Sequence, residues 1–166
     1  MFERFTDRAR KIIDLASAEA AQRGDDLVDT VDILVGMLRE GNGISGRVLA
    51  HDSVDADLVL GVRDSVCAVL DASLADVESR SLIEAAWLNH GYVGTEHLLL
   101  ALCCLSQSRG ARLLAGLGKP PLQICSFVLD ILGRTEEWER WLVDHPDVAH
   151  DHGPGTTAMR SYFCHE

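Results

Sequence analysis

The sequence predicts an all-α domain of two pseudo-symmetric four-helix repeats, with a short C-terminal helix and tail. Three observations carry this prediction. Apolar residues recur at helical spacing along most of the chain. No run alternates with the period of two that a half-buried strand needs. A block near the start also returns about 65 residues later: Gly24 to Met37 lines up with Asn89 to Leu102, and Arg47-Val48-Leu49-Ala50 with Arg112-Leu113-Leu114-Ala115. In the same register Val59, Val62 and Val66 fall on Ile124, Phe127 and Ile131. A unit repeated at this period buries its apolar face against its copy. Repeat one is placed at about 1–71, repeat two at about 72–133, and a C-terminal extension at 134–166.

Thr6 is read as an N-cap, its hydroxyl satisfying a free amide while Asp7 favours the helix dipole. Ala9, Ile12, Ile13, Ala16 and Ala20 then mark an amphipathic helix that ends at Gly24. Thr30 is expected to cap the second helix, through Ile33, Leu34, Met37 and Leu38, which stops at Gly41-Asn42-Gly43. A short helix from about Ile44 to Ala50 and a longer one from Ala56 to Asp71 complete the unit. The second half replays this order. Leu74, Val77, Leu82, Ala85 and Leu88 mark its first helix, Thr95 is expected to cap the next, and helices at Ala111 to Leu117 and Leu122 to Leu132 follow. Pro120 and Pro121 suit a first turn, where a missing amide proton costs little. Trp138, Trp141 and Leu142 predict a ninth helix docked on the body, and beyond Pro146 the composition predicts a loosely held tail.

The formal charge of −11, with no basic stripe to offset it, argues against nucleic acid as a partner. The longest apolar stretch, Leu98 to Leu105, is too short to cross a bilayer, and no leader pattern opens the chain. A soluble, cytoplasmic protein without membrane contact is expected. Cys67, Cys103, Cys104, Cys125 and Cys164 are odd in number and form no Cys-x-x-Cys pair, which predicts free thiols acting as small hydrophobes. No serine stands in a nucleophile-elbow pattern, and no catalytic residue is assigned.

Three blocks carry a family resemblance: Met1-Phe2-Glu3-Arg4-Phe5-Thr6-Asp7-Arg8-Ala9, the turn Arg39-Glu40-Gly41-Asn42-Gly43, and Tyr92-Val93-Gly94-Thr95-Glu96-His97-Leu98-Leu99-Leu100. Together they resemble the N-terminal double-repeat domain of the Clp ATPases, most closely the ClpC type, over roughly residues 1 to 133. No Gly-x-x-x-x-Gly-Lys-Ser/Thr phosphate loop occurs in the sequence, so the resemblance is to such a domain standing free of its ATPase modules. It implies a non-enzymatic binding module that modulates ATP-dependent proteolysis, needs no cofactor, and has a Clp ATPase, its adaptors or its protein substrates as partners. Phosphoarginine is bound in the family at a Gly-Thr-Glu-His pattern, complete here as Gly94, Thr95, Glu96 and His97. A carboxylate there can pair with a guanidinium while helix-terminal amides meet phosphoryl oxygens. The first repeat carries Asp29, Thr30, Val31 and Asp32 instead. Val31 cannot pair with a guanidinium and Asp29 would repel a phosphoryl group, so at most one working site is expected.

Other readings of these residues are structural. Thr30, Thr95 and Glu96 are good helix-start residues whatever they bind, and the domain could be a structural or oligomeric interaction protein without phosphoarginine binding. His145, His150, His152, His165 and Cys164 could in principle hold a metal for an enzyme, but their spacing matches no zinc module, and no metal site is assigned. Trp87, Trp138 and Trp141 are expected to pack the added helix rather than anchor a partner.

Overall fold

The computed structural model describes residues 2–66 and 71–150. Cys67, Leu70, His152, Tyr162, Phe163, Cys164 and His165 lie outside the described residues. The architecture is all-α and built of helical repeats, as the duplicated pattern predicts. In the first repeat, α1 (Asp7–Arg23) begins where the Thr6 hydroxyl accepts from the Ala9 amide, and ends at Gly24 with φ 79°. α2 (Thr30–Glu40), α3 (Ile44–His51) and α4 (Ala56–Val62) follow. The second repeat comprises α5 (Leu74–Trp87), α6 (Thr95–Cys104), α7 (Arg109–Gly116) and α8 (Pro121–Ile131), whose first residue is the predicted proline.

α2 and α6 are the central helices. All ten residues of α6 are buried, as are nine of the eleven in α2, because each lies between its own repeat's first helix and a helix of the other repeat: α2 packs on α1 and α7, and α6 on α5 and α3. A helix buried all round carries no polar face, which explains the unbroken apolar run from Leu98. One parallel bridge between Phe5 and Val93 ties the N-terminus to the second repeat, with Thr6 N–H donating to the Val93 carbonyl at 3.0 Å.

Two boundaries differ from expectation by more than a couple of residues. The fourth helix ends at Val62 rather than continuing to Asp71, and a 3₁₀ turn (Arg63–Ser65) follows. That turn places the Arg63 guanidinium under α2, against Asp29 at 2.5 Å and Asp32 at 3.0 Å, where the residue is 6% exposed. At the C-terminal end α9 (Trp138–Asp144) docks as predicted, with Trp141 fully buried and Trp138 stacked on it at 5.3 Å. Beyond it the chain is not a loose tail at once: α10 (Pro146–His150) adds a further turn and buries Val148. Among the described residues no single helix is long and apolar enough to cross a membrane. Cys103, Cys104 and Cys125 are buried free thiols.

Candidate functional site

The two threonines expected to cap their own helices instead serve the opposite repeat. Asp29 and Gly94 are the N-caps, both in extended backbone, and Thr30 and Thr95 are the first helical residues. Thr95 Oγ1 accepts from the Ser45 amide at the start of α3, at 3.3 Å, and Thr30 Oγ1 accepts from the Gly110 amide at the start of α7, at 2.8 Å. Each hydroxyl thus satisfies an orphan donor of a helix about 50 or 80 residues away. The approach is so close that a Cβ on Gly43 would lie 2.5 Å from Thr95 Oγ1.

Where α6 meets α3, a cleft of about 440 Å³ opens between the start of α1, the turn before α3 and the segment Tyr92 to Glu96. Gly94, Thr95 and Glu96 line it, opposite Gly43, Ile44 and Arg47, with Arg8 at its edge. Among the described residues nothing accepts from the main-chain N–H of Ile44 or Thr95. Two helix starts therefore present amides to one space, a geometry that favours an oxyanion. Glu96 is 6% exposed, yet no cation among the described residues pairs with it. His97 Nδ1 lies 3.6 Å from it but accepts a hydrogen bond from the Gly94 amide and so carries no proton there, and a His90 ring nitrogen lies within 4.8 Å. Arg47 is exposed and has no ion-pair partner among the described residues, whereas Arg8 is held by Glu40 at 3.1 Å.

His97 stands behind the cleft rather than in it. With Nδ1 accepting from Gly94, its proton sits on Nε2 and is donated to His90 Nδ1 at 2.9 Å. Burial, with His90 alongside, pulls its pKa down to about 4, so the ring is neutral at ordinary pH. His90 stacks on Tyr92, a cleft residue, with centroids 5.1 Å apart.

In the first repeat the matching space is filled from within. The Asp71 carboxylate accepts from the Thr30 amide (3.0 Å), the Thr30 hydroxyl (2.9 Å) and the Arg109 amide (2.8 Å). By the 65-residue register, Thr30 and Arg109 correspond to Thr95 and Ile44, whose amides face the open cleft. Asp29 pairs with Arg63 and Arg109, and Asp32 with Arg23 and Arg63. Burial opposes the charge on Asp32, but the Arg23 hydrogen bond, the Asp29 amide and the Arg63 charge together hold its pKa below the usual carboxylate range. Val31 is fully buried in the core. Sequence reasoning missed Asp71, Arg63 and Arg109. Their partners are distant in the chain, and the only local signal was Asp71 breaking the apolar pattern between the repeats.

Residues 4–117 match the family model of the Clp repeat (R) N-terminal domain. Among similar proteins are chaperone protein ClpC2 of Oryza sativa subsp. japonica, the ClpA homolog CD4B of Solanum lycopersicum and chaperone protein ClpC1 of Arabidopsis thaliana. Each is 37% identical over 147 residues, covering 82% of this chain and 16% of the relative. The chain therefore spans about a sixth of these relatives. The fold matches the N-terminal domain of the chaperone ClpD from Arabidopsis thaliana, with a TM-score of 0.66 at 22% identity, covering 80% of this chain and 97% of that one. All three relatives are chloroplastic proteins, which overturns the cytoplasmic location expected from the sequence. Free thiols and short apolar runs suit a reducing plastid interior as well as a cytoplasm, so they had no power to separate the two.

Proposed function

The chain belongs to the Clp repeat (R) N-terminal domain family, a non-catalytic protein-interaction module, and from that premise we propose that it reads phosphorylated arginine on proteins handled by a Clp ATPase through one working site, the α3–α6 cleft. The partners in this reading are the Clp ATPase, its adaptors or its protein substrates, and the sign of regulation follows from whether the chain delivers clients or withholds them.

The observation that carries the reading is the nearly buried Glu96 carboxylate, which no cation pairs among the described residues, beside amides of two helix starts that find no acceptor among them. A ligand complementary to that arrangement has a positive planar end and an oxyanionic end joined at short range. A guanidinium binds a carboxylate bidentately, and a phosphoryl group takes helix-start amides together with Arg47. Asp71 supports the reading, since a carboxylate already occupies the equivalent amides in the first repeat.

Calorimetric titration of free phosphoarginine into the wild type, with arginine as the control ligand, tests this. One equivalent should bind, with affinity reduced more than tenfold by Glu96→Ala. Absence of binding to the wild type removes phosphoarginine and leaves a module that meets its partners through its helical surface, and binding unaffected by Glu96→Ala removes the α3–α6 cleft as the site.

A further inference from the structure

The second repeat and the C-terminal extension meet at a buried cluster of chemistry-bearing side chains that the cleft does not use. Glu84 of α5, Cys104 of α6 and His145, which joins α9 to α10, are 0%, 5% and 3% exposed. One ligand-capable atom from each lies within 4.8 Å of the others.

Hydrogen-bond stoichiometry poses a specific problem here. His145 Nδ1 is 2.7 Å from the Trp141 carbonyl oxygen, which can only accept, so Nδ1 carries a proton. In a neutral ring Nε2 is then a bare lone pair. That nitrogen faces both Glu84 oxygens at 3.0 Å, and Arg80 Nε donates to Glu84 at 2.8 Å. A bare nitrogen lone pair and a carboxylate do not approach to 3.0 Å without either a proton or a metal ion between them. Cys104 Sγ closes a third side, 3.6 Å from Glu84 Oε1.

We propose that Glu84, Cys104 and His145 form a binding site for a divalent transition-metal ion of the zinc type, which fastens the C-terminal extension to the second repeat. Tetrahedral coordination with bonds of about 2.0 Å to nitrogen and oxygen and about 2.3 Å to sulfur sets ligand atoms roughly 3.3–3.6 Å apart, close to the N–O and S–O separations here. The second shell is present. His145 donates its other ring proton to a backbone carbonyl, and Trp141 Nε1 donates to Glu84 Oε2 at 3.3 Å.

The charge also balances. With an imidazolium and a thiol, Arg80, His145 and Glu84 sum to one positive charge. Replacing the His145 Nε2 proton and the Cys104 thiol proton by one divalent ion leaves that sum unchanged, with two protons released to solvent. The neighbouring group of His90, Glu96 and His97 poses no such problem, because its His97 to His90 hydrogen bond already has one donor and one acceptor.

The test is titration of Co²⁺, then Zn²⁺ in competition, into the whole chain freed of metal under reducing conditions. Support would be one tight equivalent with the visible bands of tetrahedral cobalt and a near-ultraviolet thiolate-to-metal band. Release of about two protons per ion should accompany it. Cys104→Ser should abolish the thiolate band, and His145→Gln should weaken binding at least tenfold, with circular dichroism confirming that both variants fold. A folded wild type that gives no cobalt spectrum overturns the proposal and leaves a proton between His145 and Glu84. Binding retained equally in Cys104→Ser and His145→Gln overturns it too, and assigns the metal to other histidines.

Discussion

At the scale of single residues, the difference between the two repeats comes down to what faces a pair of helix starts. Glu96 and Asp71 are both carboxylates, but Glu96 lines an open cleft while Asp71 fills its counterpart. Asp71→Ala leaves the Thr30 and Arg109 amides without an acceptor. The expected cost is about 1–3 kcal/mol in urea unfolding, and acetate should restore the midpoint saturably in the variant but not in the wild type. Val31→Glu, which from sequence alone would rebuild the missing carboxylate, should not create a second site. Val31 is fully buried in α2, so the new charge enters the core and destabilises the fold by several kcal/mol. Asp29, Thr30, Val31 and Asp32 were legible as a departure from the family pattern. What fills the first-repeat space instead was not, because Asp71 and Gly110 reach Thr30 across about 40 and 80 residues of sequence.

At the scale of elements, the start of α6 is the piece on which cleft and core both depend. His97 holds the Gly94 amide and hands its proton to His90, which stacks on Tyr92 at the cleft wall. Its pKa is lowered from about 6.5 to about 4, so the unfolded chain binds this proton more readily than the folded one. Stability from this group is therefore complete above about pH 6.5 and is lost as pH falls toward 4, by about 3 kcal/mol in all. Glu84 acts in the same direction, since its pKa is held below the carboxylate range and its contribution fades only on stronger acidification. Urea midpoints measured between pH 7 and pH 4 should fall along this curve, and His97→Gln should flatten the part above pH 5. Helix existence and order were readable because most helices carry an apolar stripe and α6 a continuous apolar run. Helix starts were less so: Thr30 and Thr95 have ordinary cap chemistry, and only the packing of α2 on α7 and α3 on α6 turns their hydroxyls to the other repeat.

At the scale of the whole molecule, the fold is two halves whose helix starts are satisfied by each other, with a third piece that, among the described residues, is hydrogen-bonded to the second of them. The duplication was visible in the sequence because it repeats residue types at one offset. The docking of the extension was visible in its tryptophans, but its polar anchor was not, since that joins His145 and Trp141 to Glu84, 61 and 57 residues earlier. A chain ending at Gly133 would expose the surface now covered by Trp141 and Val148, and would leave Glu84 with Arg80 but without its indole and imidazole partners. Losing a fully buried tryptophan costs about 3–5 kcal/mol in a well-packed core, so a drop of at least that order is expected in urea unfolding. The loss should be uneven. α5 and α6 form the surface that the extension covers, whereas α1 and α2 pack on each other away from it, so amide hydrogen exchange should quicken more in α5 and α6. The cleft draws on α1, the turn before α3, and Tyr92 to Glu96, none of which touches Trp141 or His145 through a hydrogen bond or ring contact. Ligand binding should accordingly survive truncation with its stoichiometry intact, while exchange that quickened equally in all helices would mean that the extension supports the whole core rather than one repeat.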